Sequence, residues 1–150
     1  MINQVMADKA VEYFNNGFLC SESVLMAITE AYEIESLHIP SIATAYGSGL
    51  SRTNGPCGAL SGGIMALSLL NGRKDSSDDY ASLYKNVSRL QHSFNATFKT
   101  TECSKLLGFS LSDSDASEKF TNNQCKSNIC NHCVRFVAKE VHHILSSQNT

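Results

Sequence analysis

Six cysteines, at positions 20, 57, 103, 125, 130 and 133, are the residues of this 150-residue chain whose type and placement point to chemistry. Cys57 sits between the turn residues Asn54-Gly55-Pro56 and an apolar run from Gly58 to Leu70. Asn-Gly-Pro spells a turn, so Pro56 is expected at the first helical position and Cys57 in the first turn. Unpaired backbone N–H groups and the helix dipole favour an anion there. A cysteine so placed drops from a free pKa of about 8.5 into a range of roughly 3.5–7.5. Gly58 and Gly62, four apart, strip one helix face and let a neighbouring backbone or a second sulfur approach, which makes them the candidate cofactor-binding positions. The plainer reading is a buried helix whose small residues serve tight packing, with Cys57 a small hydrophobe.

The other thiols repeat the placement. Cys20 lies in Gly17-Phe18-Leu19-Cys20-Ser21-Glu22-Ser23, where a turn glycine, a serine cap and an acidic Glu22 announce a helix running to about Ile34. Cys103 falls in the first turn of a short helix predicted over 100–108 and closed by Gly108. Cys130 and Cys133 stand four before Val134 and Val137, so both project toward the core side at the start of the last helix. Four helix starts carrying sulfur suggest N-termini that converge on one centre, their dipoles jointly stabilising thiolate. Such a centre supports exchanging disulfides, or it binds zinc or an iron-sulfur cluster through Cys20, Cys57, Cys103 and Cys130, with Cys133 in reserve. The run Cys125-x4-Cys130-Asn131-His132-Cys133 contains one C-x-x-C. A zinc knuckle usually shows a second close Cys/His pair, and Cys103 and His132 do not repeat the spacing. Covalent haem attachment needs His after the second Cys, and Val134 stands there.

Helices must position these sulfurs. A first amphipathic helix spans 3–16, with Ile2, Met6, Ala10, Tyr13 and Phe14 on one side and Gly17 to end it. Val24, Leu25, Ile28 and Tyr32 form the inner face of the second. A shorter helix near Pro40 is expected to use Ile39, Ile42, Ala43 and Tyr46, followed by a flexible Gly/Ser-rich loop over 47–55. A long helix from about Asp78 to Lys99 carries the stripe Tyr80, Leu83, Tyr84, Val87, Leu90, Phe94 and Phe98, with His92 off it. One helical turn is expected near 116–120. The last helix uses Val134, Val137, Val141, Ile144 and Leu145, leaving Arg135, Lys139, His142 and His143 mostly outside. No strand-type alternation competes, so the expected fold is all-α, a single-domain bundle of about five main helices over 1–150 plus short helical turns.

Composition narrows the function. With 42% hydrophobic residues and two prolines, 150 residues suffice for one buried core. The net charge of −2 and scattered basic residues argue against nucleic acid. Asp8, Lys9 and Glu12 interrupt the start, which does not read as a signal peptide, and the run from Gly58 to Leu70 is too short to span a bilayer. A cytoplasmic setting without membrane insertion follows as the expectation, and there six cysteines suit redox or metal chemistry better than a static disulfide framework. No Ser/His/Asp arrangement supports hydrolysis. No glycine-rich loop after a strand supports nucleotide binding.

The pattern resembles the C_GCAxxG_C_C family of redox-active proteins. Its C-G-A-x-x-G motif stands as Cys57-Gly58-Ala59-Leu60-Ser61-Gly62, its Gly-Phe-x-Cys-Ser cysteine as Cys20, its Leu-Leu-Gly cysteine as Cys103, and its fourth, ahead of Val134-Arg135, as Cys130. Cys125 and Cys133 are additions that leave the family's fourth position open among the C-terminal thiols and permit a local Cys130–Cys133 or Cys125–Cys130 pair. The resemblance implies redox-active cysteines without implying a reaction or substrate. Together with the helix starts it suggests a thiol-disulfide oxidoreductase served by a redox partner protein or a small thiol. Cys57 would attack, Cys20 or Cys103 resolve, and Cys130 with Cys133 form a second pair. The alternatives are the metal or iron-sulfur protein above, and a structural domain with buried or bridged cysteines.

Overall fold

A computed structural model describes residues 1–149. Its order is α1 (Ile2–Asn15), α2 (Cys20–Ala31), a 3-10 turn (Ser41–Tyr46), α3 (Gly47–Arg52), α4 (Gly58–Asn71), α5 (Ala81–Phe98), α6 (Cys103–Leu107), α7 (Ala116–Asn122), a π turn (Lys126–Cys130) and α8 (Asn131–Ser146), closed by a 3-10 turn (Ser147–Asn149). The fold is all-α, with no strand among the described residues. No described helix is long and apolar enough to cross a membrane.

The 3.6-residue period explains which faces meet. Val134, Val137, Val141 and Ile144 of α8, Met6, Ala10 and Phe14 of α1, and Val24, Leu25 and Ile28 of α2 are buried in one continuous core. α4 lies between α2, α5 and α8 and is apolar nearly all round. Its Gly62 lets the backbone of α2 come close, because a Cβ there would stand 2.5 Å from the Ser21 carbonyl oxygen. Polar pins tie the outer helices. The Tyr32 hydroxyl bonds His142 Nδ1 at 2.9 Å, and Arg135 pairs with Asp8, so two residues expected in solvent hold α8 against α2 and α1. His92 is exposed.

Several boundaries differ from the expected ones for local reasons. Leu19, not a serine, is the N-cap of α2. Glu22 closes the cap by accepting from Leu19 N at 2.9 Å, while its other oxygen accepts from Thr44 Oγ1 at 2.7 Å. Ser21 is buried and donates to the Ala43 carbonyl. α2 ends at Ala31 rather than Ile34. Of the expected apolar side after Pro40 only Ala43 is buried, while Ile42 and Tyr46 face solvent. α5 begins at Ala81, because Asp78 accepts from the N–H groups of Lys74 and Asp75 and so closes a turn first. Tyr80 and Tyr84 then pack against each other outside with tilted rings, and Leu83, Leu90 and Phe94 lie inside. Gly108, at φ +86°, ends α6 where a side chain would be strained.

Glu22→Ala removes both carboxylate bonds at the entrance of α2. A loss of about 1 kcal/mol in denaturant unfolding is the expected outcome, with Glu22→Gln recovering part of it.

Candidate thiol site

Cys57 is the N-cap of α4 at φ −53°, ψ 130°, one position before the expected first turn. Pro56 is not the first helical residue. It pairs instead in an isolated antiparallel bridge with Glu102. Cys57 N donates to the Thr101 carbonyl at 2.7 Å, and Cys103 N donates to the Gly55 carbonyl at 3.0 Å. Each cysteine's own amide thereby fastens it to the segment that carries the other, so two thiols 46 positions apart enter α4 and α6 side by side.

α3 forms the adjoining wall. The loop expected to be flexible over 47–55 is an ordered left-handed turn, in which Ser48, Gly49, Leu50 and Ser51 have φ between 56° and 64° and Arg52 follows at 63°. Bonds from Gly55 N to the Gly49 carbonyl at 2.9 Å and from Ser51 Oγ to the Ala45 carbonyl at 2.7 Å hold it. The Ser48 N–H is directed at the Cys20 sulfur, and a Cβ on Gly49 would stand 3.2 Å from Cys103 Sγ. Cys20, the first residue of α2, comes so close to α4 that a Cβ on Gly58 would overlap its sulfur. Gly58 therefore makes room for a second sulfur, and Gly62 for the Ser21 backbone. Gly58 also lines the cavity described below, whereas Gly62 does not.

The C-terminal thiols arrive differently. Cys130 closes the π turn and already has right-handed helical geometry, so it is not at a free helix start. Cys130 is still the N-cap of α8, so all four expected entrances bear cysteine, the fourth continuous with the π turn before it. Cys130 and Cys133, three apart on one helical face, point to the same place. Cys20, Cys57, Cys103, Cys130 and Cys133 thus line one cavity of about 480 Å³. Cys57 and Cys133 are buried, Cys20, Cys103 and Cys130 half-buried, and all are free thiols. Cys125 is fully buried outside that lining.

Electrostatics separates one thiol from the rest. The Cys133 S–H directed at the Cys57 sulfur pulls the Cys57 pKa below its ordinary value against the opposing effect of burial. The N–H groups of Leu60 and Ala59 help, although neither closes a formed cap hydrogen bond. Cys133 is pushed up by the same bond and by burial. Burial and repulsion from Cys57 push Cys20 up to about 12 and Cys103 up to about 11. Cys130 is raised by burial and by its four sulfur neighbours. Helix dipoles do not overcome burial at Cys20 and Cys103, whose pKa values rise, while that of Cys57 alone among the six thiols falls. The thiol that acts most strongly on Cys57 is Cys133 rather than Cys20 or Cys103. Periodicity had already placed Cys133 inward, and the missing signal was the long-range contact between α4 and α8.

Among the described residues no three His, Cys, Asp or Glu side chains are arranged to hold a metal ion, and His132 is exposed. The zinc and iron-sulfur alternatives therefore have no preformed ligand set.

A family model described as "Putative redox-active protein (C_GCAxxG_C_C)" matches residues 18–144. No curated protein and no solved structure matched the chain.

Proposed function

The chain belongs to the C_GCAxxG_C_C family, and from that membership we propose that it exchanges thiols and disulfides, with Cys57 as attacking thiolate and Cys133 as resolving thiol. The observation that carries this reading is that Cys57 and Cys133 line the same cavity, where Cys133 acts on the Cys57 thiol strongly enough to lower its pKa. A thiolate is the nucleophile of such exchange, and of the six sulfurs only Cys57 is held down in pKa.

The Cys57 thiolate attacks one sulfur of a substrate disulfide. That S–S bond breaks, the other substrate sulfur leaves as a thiolate and takes a proton from water, and Cys57 carries a mixed disulfide. Cys133 then passes its proton to the second departing substrate sulfur and attacks Cys57 Sγ. The mixed disulfide breaks and the Cys57–Cys133 bond forms. Two electrons have moved from the protein dithiol to the substrate, and the reverse sequence oxidises a dithiol. Cys20, Cys103 and Cys130 stay protonated beside the pair and are reserve partners for the disulfide.

Alkylation of reduced protein with iodoacetamide across pH, mapped by mass spectrometry, tests the assignment. Cys57 is expected to react at the lowest pH, and mild oxidation to yield a Cys57–Cys133 disulfide. Six cysteines that stay inert until the protein is denatured would overturn the proposal.

A further inference from the structure

Resting on the thiol-disulfide reading, we propose that the substrate is a small organic disulfide with an apolar arm ending in an anionic group. Burial of Cys57 sets the size limit. It is 7% exposed, in a cavity of about 480 Å³ that falls within the roughly 300–1,000 Å³ of small-molecule sites. A protein disulfide holds its sulfurs between two backbones whose Cα atoms are about 5.5–6 Å apart. Bringing one of those sulfurs to a buried Cys57 would drive both main chains into the cavity. A small molecule meets no such obstacle.

The lining specifies the chemistry of the arm. Phe14, Phe18, Leu107, Leu111, Phe120 and Ile129 give the cavity apolar walls that repay burial of a hydrocarbon chain and do nothing for a polar peptide. Two cations complete the lining, Arg52 exposed and Lys126 half-buried. Neither is in an ion pair among the described residues, and Lys126 Nζ lies 4.7 Å from the centre of the Phe14 ring. Asp113 is the one acid in the lining, and it accepts from Ser110 N at 3.3 Å. Two positive charges against one negative, beside apolar walls, match an amphiphile with its anionic end outward and its disulfide inward.

Reduced full-length protein is mixed without oxygen with lipoate, with its neutral amide, with glutathione disulfide, or with insulin. Protein disulfide and released thiol are followed by mass spectrometry and chromatography. Each rate is divided by that of free dithiothreitol with the same compound, which removes intrinsic ring strain. Lipoate is expected to exceed its amide by about threefold, the scale of one partly exposed ion pair. Both should exceed glutathione disulfide and insulin by about tenfold, since the polar disulfide gains nothing from the walls. In the Arg52→Ala/Lys126→Ala protein the ratio of lipoate to amide rates is expected to fall to about one. Faster oxidation by insulin would assign a protein substrate and overturn the proposal, as would equal rates for lipoate and glutathione disulfide. The small neutral disulfide 4,4′-dithiodipyridine separates the two levels of inference. If it leaves Cys57 unmodified, thiol-disulfide exchange itself falls. If it modifies Cys57 while the expected order is absent, only the substrate assignment falls.

Discussion

Cys133→Ala is expected to damage the reaction twice. The Cys133 S–H is the largest influence holding the Cys57 pKa down, so its loss lets that pKa rise. Thiolate exists above the pKa. The pH profile of Cys57 alkylation therefore moves to higher pH, and below it the reactive fraction falls about tenfold for each unit of rise. The second loss is the resolving sulfur, so a small disulfide is expected to stop at the Cys57 mixed disulfide, releasing one thiol equivalent where the native protein releases two. Cys133→Ser separates the effects, since its hydroxyl still donates to Cys57 but forms no disulfide. It should restore part of the profile and none of the second release. Native behaviour of Cys133→Ala in both measurements would remove Cys133 from the mechanism.

Gly62→Ala is expected to give the largest loss of stability for the smallest change of side chain. The added Cβ would stand 2.5 Å from the Ser21 carbonyl oxygen and 3.2 Å from Ser21 C and Cα. All three are backbone atoms of α2, which cannot rotate away, so two helices must part. Overpacking of this kind costs about 1–3 kcal/mol, against a gain of up to about 1 kcal/mol in helix propensity. A net loss of about 1 kcal/mol should appear as a lower urea midpoint at unchanged slope. Gly63→Ala is the control. Its nearest neighbour is the Val137 side chain, which can shift, so its midpoint should fall less. Equal midpoints for Gly62→Ala and the native protein would show that α2 and α4 are not locked at this contact.

What the chain discloses locally and what it conceals divide along range of interaction. Val134, Val137, Val141 and Ile144 recur at three and four, so the buried face of α8 follows from its own residues. Gly58 and Gly62 announced a close approach, and only the folded molecule says that one serves the Cys20 sulfur and the other the Ser21 backbone. The partner of Cys57 was hidden because it depends on how α4 meets α8 and on a π turn before Cys130 that no local residue advertises. The Pro56–Glu102 bridge is likewise a pairing across distant segments, too short to leave an alternating pattern. The raised pKa values of Cys20 and Cys103 were hidden for a third reason. Position at a helix start is written in sequence, but the depth of burial that outweighs it is a property of the whole fold.

The backward winding of α3 makes one part of the cavity unlike the others. Left-handed helical geometry costs an L-residue roughly 1–2 kcal/mol, and Ser48, Leu50, Ser51 and Arg52 all adopt it. The rest of the molecule must hold this segment wound like a compressed spring, through the Ala45 and Gly49 carbonyls and the Cys103 side chain. The helices around it have no comparable tension to release. Ser48 and Arg52 both line the cavity, so loosening of those few restraints is expected to release strain in its wall rather than elsewhere in the bundle.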